Sequence, residues 1–134
     1  MLISLSAKLK VFLLATIAFG GLFQCTKDDE DKQDPCDNSI VYYEADIQPI
    51  FNAKCAFSGC HAGTDPKAGL DLSSYNNVIA GNVVTPSNPT TSLMHQRVTA
   101  TGNKRMPPAN PLSSENIALI EEWINQGAVN VSCP

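Results

Sequence analysis

Cys55-Ala56-Phe57-Ser58-Gly59-Cys60-His61 places two thiols and an imidazole within one short stretch, with the imidazole directly after the second thiol. A covalently attached haem needs two thiols that form thioethers with vinyl groups on neighbouring pyrroles, and a histidine able to ligate the iron from below. The stretch therefore predicts haem attachment at Cys55 and Cys60, with His61 as the proximal iron ligand. The usual pattern has two residues between the cysteines. Here Ala56 to Gly59 makes four, so the turn is enlarged. A buried macrocycle would also answer a shortage. From Cys36 onward the aromatics are Tyr42, Tyr43, Phe51, Phe57, Tyr75 and Trp123, a thin supply for an independent core.

Outward from this stretch the pattern is helical. Ser39 to Tyr43 is β-branched and aromatic and predicts a short extended lead-in. Asp46 is placed to cap a helix whose first turn tolerates Pro49, and Ile47, Ile50, Phe51 and Cys55 fall on its apolar face. Ser73 or Ser74 caps a short helix through Tyr75 and Val78 that ends near Gly81. Asn88-Pro89 opens another, with Leu93, Met94 and Val98 as its apolar positions. Thr99 to Pro108 lacks periodicity and reads as a loop whose one large apolar residue is Met106. Ser113 or Ser114 then caps a last helix with Ile117, Leu119, Ile120, Trp123 and Ile124 on one side, stopping at Gly127. No internal repeat or strand ladder appears.

The amino terminus predicts export. Lys8 and Lys10 precede an apolar run from Val11 to Phe23, well short of the roughly 20 residues a bilayer-spanning helix needs. Leu22-Phe23-Gln24-Cys25 looks like a loose lipobox, which makes 1–24 a lipoprotein signal peptide and Cys25 the lipidated residue. An ordinary signal with a free Cys25 is the alternative. Residues 25–35 are acidic and almost free of apolar side chains, a disordered tether that ends where the folded region 36–134 begins. Five of the 13 acids lie in it, which leaves a net charge of about −3 from Cys36 onward and argues against nucleic acid as a partner. Of the five cysteines, one is assigned to lipid and two to haem. Cys36 and Cys133, at the two ends of the folded region, are then a natural disulfide in an oxidising compartment, with two unrelated free thiols as the alternative.

Iron held by His61 has a sixth position, and Met106 is the first choice for it. Pro107 and Pro108 stiffen the loop that would present the sulfur, and a Met ligand raises the reduction potential. His95 is the alternative distal ligand and Met94 a third. Lys104 and Arg105 read either as partners for haem propionates or an acidic protein, or as a solvated basic loop. Zinc held by Cys55, Cys60, His61 and His95 is a rival reading, and a plain Cys55–Cys60 disulfide in a binding module is another.

Several blocks in order resemble the planctomycete-type cytochrome c domain: Asp46-Ile47-Gln48-Pro49-Ile50-Phe51, Cys60-His61, Gly69-Leu70-Asp71-Leu72-Ser73-Ser74-Tyr75, Ser92-Leu93, Gln96-Arg97-Val98, Met106-Pro107-Pro108, and Ile117 to Ala128. The resemblance implies a compact all-α cytochrome c-like fold around one covalent haem c, with Cys55 and Cys60 as thioether positions and His61 and Met106 as axial ligands. What departs from it is the interval between the cysteines. The expected protein is an electron carrier rather than an enzyme, held by lipid to a membrane on the periplasmic or cell-surface side. Its partner would be a redox protein or a membrane respiratory complex. A five-coordinate haem sensor or peroxidase-like protein is the alternative, and a non-haem binding lipoprotein the third.

Overall fold

Residues 36–133 are described in the computed structural model of this chain, and they form one compact unit. The expected signal peptide, Cys25 and the acidic tether lie outside the described residues. Four α-helices carry the architecture: α1 (Gln48–Lys54), α2 (Tyr75–Ala80), α3 (Leu93–Thr99) and α4 (Ser114–Asn125). Among the described residues there is no strand, only an isolated bridge between Ser58 and Ala62, so the all-α class holds. None of these helices is long and apolar enough to cross a membrane.

The capping residues read from the sequence act in three of the four helices' approaches. Ser74 Oγ accepts the Asn77 N–H at 3.3 Å and Ser113 Oγ accepts the Asn116 N–H at 3.3 Å, each filling one donor orphaned at a helix start. Asn88 Oδ1 accepts the Thr91 N–H, but the turn it caps is a short 3₁₀ segment, Pro89–Thr91, and α3 begins separately at Leu93. The first helix differs from expectation. Winding starts at Tyr43 as a π-helical turn, Tyr43–Ile47, that runs directly into α1. Asp46 lies inside that turn and reaches back to accept the Tyr42 N–H at 2.7 Å, rather than heading the helix as its cap. The extended lead-in shrinks to Val41 and Tyr42, because Asp37 draws Ser39 and Ile40 into a turn through hydrogen bonds of 2.8 and 2.9 Å.

The core forms where the Tyr43–Ile47 turn packs on α4. Tyr43, Ile47, Phe51, Val78, Ile120, Trp123 and Ile124 are essentially inaccessible. The Tyr43 ring packs edge-on to Phe51 and Tyr75, with centroids at 6.3 and 5.1 Å, and lies tilted against Trp123 at 5.3 Å. Each polar tip of this cluster has a partner, as burial requires. Tyr43 Oη donates to Gln48 Oε1 at 2.7 Å, Trp123 Nε1 donates to the Val129 carbonyl at 3.0 Å, and Tyr75 Oη donates to the Ala128 carbonyl at 3.0 Å. Burial also pushes the Tyr43 phenol well above its ordinary pKa, so it stays neutral.

Two devices fasten the ends. Gln126, just past α4, accepts the Val41 N–H with Oε1 and donates from Nε2 to the Ser39 carbonyl, both at 2.9 Å. Cys36 and Cys133 are joined by a disulfide across a sequence separation of 97, with Cα atoms 5.2 Å apart. A loop of that length corresponds to roughly 4 to 5 kcal/mol of lost chain entropy in the unfolded state.

Candidate functional site

The segment Cys55 to His61 leaves the end of α1 on a tightly bonded path. Cys55 and Ala56 both donate to the Phe51 carbonyl at 2.7 Å, which ends the helix and turns Cys55 inward. The four residues between the thiols turn back on themselves before His61. Cys60 N–H bonds the Phe57 carbonyl at 3.0 Å with Gly59 at φ +82°, the left-handed value a type II turn needs at its third residue. The His61 N–H then returns to the Cys55 carbonyl at 3.1 Å, closing the loop at its base. Phe57, Ser58 and Gly59 are thereby carried outward and are exposed.

His61 is braced on every side. Its carbonyl accepts the Leu72 N–H at 2.8 Å, and the neighbouring Cys60 carbonyl accepts the Lys67 N–H at 2.7 Å. Its Nδ1 lies 3.3 Å from the Leu70 carbonyl. A carbonyl oxygen can only accept, so this contact favours the tautomer with the proton on Nδ1 and leaves the Nε2 lone pair for a metal. The 67–70 segment that supplies this carbonyl holds two consecutive left-handed residues, Ala68 at φ 57° and Gly69 at φ 66°.

These residues open on a cavity of about 440 Å³, within the range of roughly 300 to 1,000 Å³ typical of cofactor sites. Cys55 and His61 from the first stretch and Met106 from the proline-marked loop all line it, whereas Cys60 does not. Apolar side chains, among them Phe51, Leu70, Val83 and Val98, supply most of the rest of the wall. Met106 is half-buried, and its N–H bonds the Arg97 carbonyl at 2.9 Å, which fixes the loop to the last turn of α3. Met94 is buried and lines the cavity as well. His95, one residue further round α3, points elsewhere: its Nε2 lies 3.5 Å from Glu121 Oε2 on α4, close enough for an ion pair though without hydrogen-bond geometry. It is not among the cavity's lining residues.

Cys55 and Cys60 are free thiols, so the disulfide reading of that pair is not what the structure shows. Among the described residues no group of three or more His, Cys, Asp or Glu side chains is arranged to hold an ion, so the four proposed zinc ligands are not gathered. Burial, with a smaller contribution from nearby Cys60, pushes the Cys55 thiol up to about 11. Below that pH the thiol is protonated. Alkylation of Cys55 in the haem-free chain should therefore stay slow at neutral pH and accelerate only as pH approaches about 11. Peptide mass mapping after timed iodoacetamide treatment reads this directly; rapid modification at pH 7 would show that the thiol is not buried.

The two basic residues singled out in the sequence stand away from the cavity wall, in line with their reading as a solvated loop. Lys104 is exposed, and Arg105 folds back to donate from Nη2 to the Pro108 carbonyl at 3.2 Å; neither lines the cavity. Arg97 does, and among the described residues it is the one formally charged side chain that lines the cavity. The signal for it was present, because 94, 97 and 98 share one helix face at i, i+3 and i+4.

The fold and site together define a small helical domain built round an apolar cavity, with a thiol, a braced imidazole and a thioether in its wall. Residues 58–110 match the family model described as Planctomycete cytochrome C, which supports the domain resemblance read from the sequence. That window contains Cys60, His61, Arg97 and Met106-Pro107-Pro108 and leaves Cys55 and α4 outside. No curated protein and no solved structure matches the chain.

Proposed function

We propose that this protein is a monohaem c-type cytochrome that carries single electrons, with haem c bonded through Cys55 and Cys60 and its iron ligated by His61 and Met106. The observation that carries the reading is the convergence of Cys55, His61 and Met106 on one apolar cavity of cofactor size. The group fits the residues present: imidazole with its Nδ1 proton engaged by a carbonyl, thioether on a tethered loop, and apolar walls that exclude water. When bound, haem supplies the one-electron Fe(III)/Fe(II) couple. The chain's part is to hold it. The Leu70 carbonyl orients His61, the Arg97 carbonyl positions the main chain of Met106, and Phe51, Leu72 and Val98 keep the cavity dry.

With a lipidated Cys25 and an exported chain, such a carrier would work at a membrane surface, passing electrons to a redox protein or a respiratory complex. Activity as an enzyme is not part of this reading, since a firm sixth ligand closes the iron to substrate.

Production with the cytochrome c maturation machinery tests the attachment. Haem should remain on the polypeptide through denaturing electrophoresis and acid extraction, and the mass of the chain should rise by one haem. Haem that extracts freely defeats the proposal.

A further inference from the structure

Arg97 is a cation with an incomplete set of partners in the wall of an apolar cavity. Among the described residues no carboxylate pairs with it; its one side-chain hydrogen bond is a long one, 3.5 Å from Nη1 to the Lys104 carbonyl. Lys104 and Arg105, on the loop that faces it, carry the same sign, and His61 and Cys55 lie elsewhere in the cavity wall. The residue is half-buried, no carboxylate among the described residues closes its guanidinium fork, and an anion carried by a ligand in the cavity would complete it. The cavity therefore selects a ligand with an apolar body and a carboxylate at one edge. The same residue has a second role, because its main-chain carbonyl accepts the Met106 N–H at 2.9 Å.

Resting on the function proposed above, we infer that Arg97 is a coupling residue: its guanidinium pairs with a propionate carboxylate of the bound haem, and its carbonyl holds the distal Met106 loop. The propionate fixes the rotamer of Arg97 and the end of α3, and α3 in turn fixes the main chain of Met106. Removal of the guanidinium loosens both. Sequence position alone does not single out Arg97, since Lys104 and Arg105 lie nearer to Met106 in the chain.

Haem-loaded full-length protein provides the test. In Arg97→Gln the propionate bending mode in the resonance Raman spectrum should move from its wild-type position, and imidazole should displace Met106 at about tenfold lower concentration, the size expected for losing a hydrogen bond to a charged group. Arg97→Lys keeps the charge without the planar fork and should give values between the two. An unmoved propionate mode in Arg97→Gln overturns the inference even where imidazole competes better, because that pattern is what a packing role alone produces. If Arg97→Gln does not accumulate with haem, Arg97→Lys against wild type decides by the same mode: a shift supports the pairing and no shift overturns it. A wild-type chain without covalent haem overturns the proposed function and this inference together. A haem-loaded chain with an unmoved mode overturns this inference alone.

Discussion

Replacing Trp123 by alanine is expected to lower the thermal unfolding midpoint by roughly 15 to 30 °C. Trp123 is wholly inaccessible, packs on Tyr43 at 5.3 Å between ring centroids, and donates Nε1 to the Val129 carbonyl. Truncation of a buried Trp costs about 3 to 5 kcal/mol, through lost transfer energy and the cavity left behind. In a domain of this size each kcal/mol moves the midpoint by roughly 4 to 8 °C. Trp123→Phe keeps one aromatic ring but loses both the hydrogen bond, worth about 1 kcal/mol, and part of the indole volume, so its midpoint should lie between those of wild type and Trp123→Ala. Val129→Ala, at a site 43% exposed, is the control and should change stability by no more than about 0.5 kcal/mol. Thermal melts followed by far-ultraviolet circular dichroism measure all three. A Trp123→Ala midpoint within a few degrees of wild type would remove Trp123 from the centre of the core.

Replacing Met106 by alanine is expected to abolish the weak long-wavelength charge-transfer band of ferric Met-ligated haem. It should also lower the reduction potential by on the order of a tenth of a volt or more, given that axial ligation spans roughly 0.8 V across haem proteins. The loop should survive the change. Its anchor is the main-chain bond from Met106 N–H to the Arg97 carbonyl, which an alanine keeps. The midpoint of unfolding therefore gives an internal check on whether the effect is local. Met94→Leu is the second arm, since Met94 also lines the cavity, and it should leave band and potential in place. Loss of the band in Met94→Leu, with retention in Met106→Ala, would reverse the ligand assignment.

The parts that the sequence makes readable are those written in local pattern. The stripe Ile120, Trp123 and Ile124 on α4 is buried as its spacing predicts, and Ser74 and Ser113 accept the hydrogen bonds their positions predict. Met106 could be linked to His61 because prolines mark its loop, and the cavity brings the two together. What local pattern does not carry is set by contacts across the chain. Asp46 resembles a cap in sequence, but burial of Tyr43 against Trp123 pulls the start of winding back to Tyr43. His95 and Arg97 are both polar residues on α3; the spacing of Arg97 from Met94 and Val98 puts it on the cavity face, whereas only the packing of the helix decides that His95 meets Glu121. The four-residue interval between the cysteines was irregular as a motif because a motif counts residues, whereas the chain closes a ring of hydrogen bonds.

That closure has a consequence for the arc between the thiols. Since the Cys55 carbonyl is bonded to the His61 amide, residues added between the thiols extend into solvent as a loop and exert no leverage on the imidazole. Under the proposed haem ligation, the length of that arc is decoupled from the main-chain position of His61. In this chain the inserted arc presents Phe57, 48% exposed, as its largest side chain.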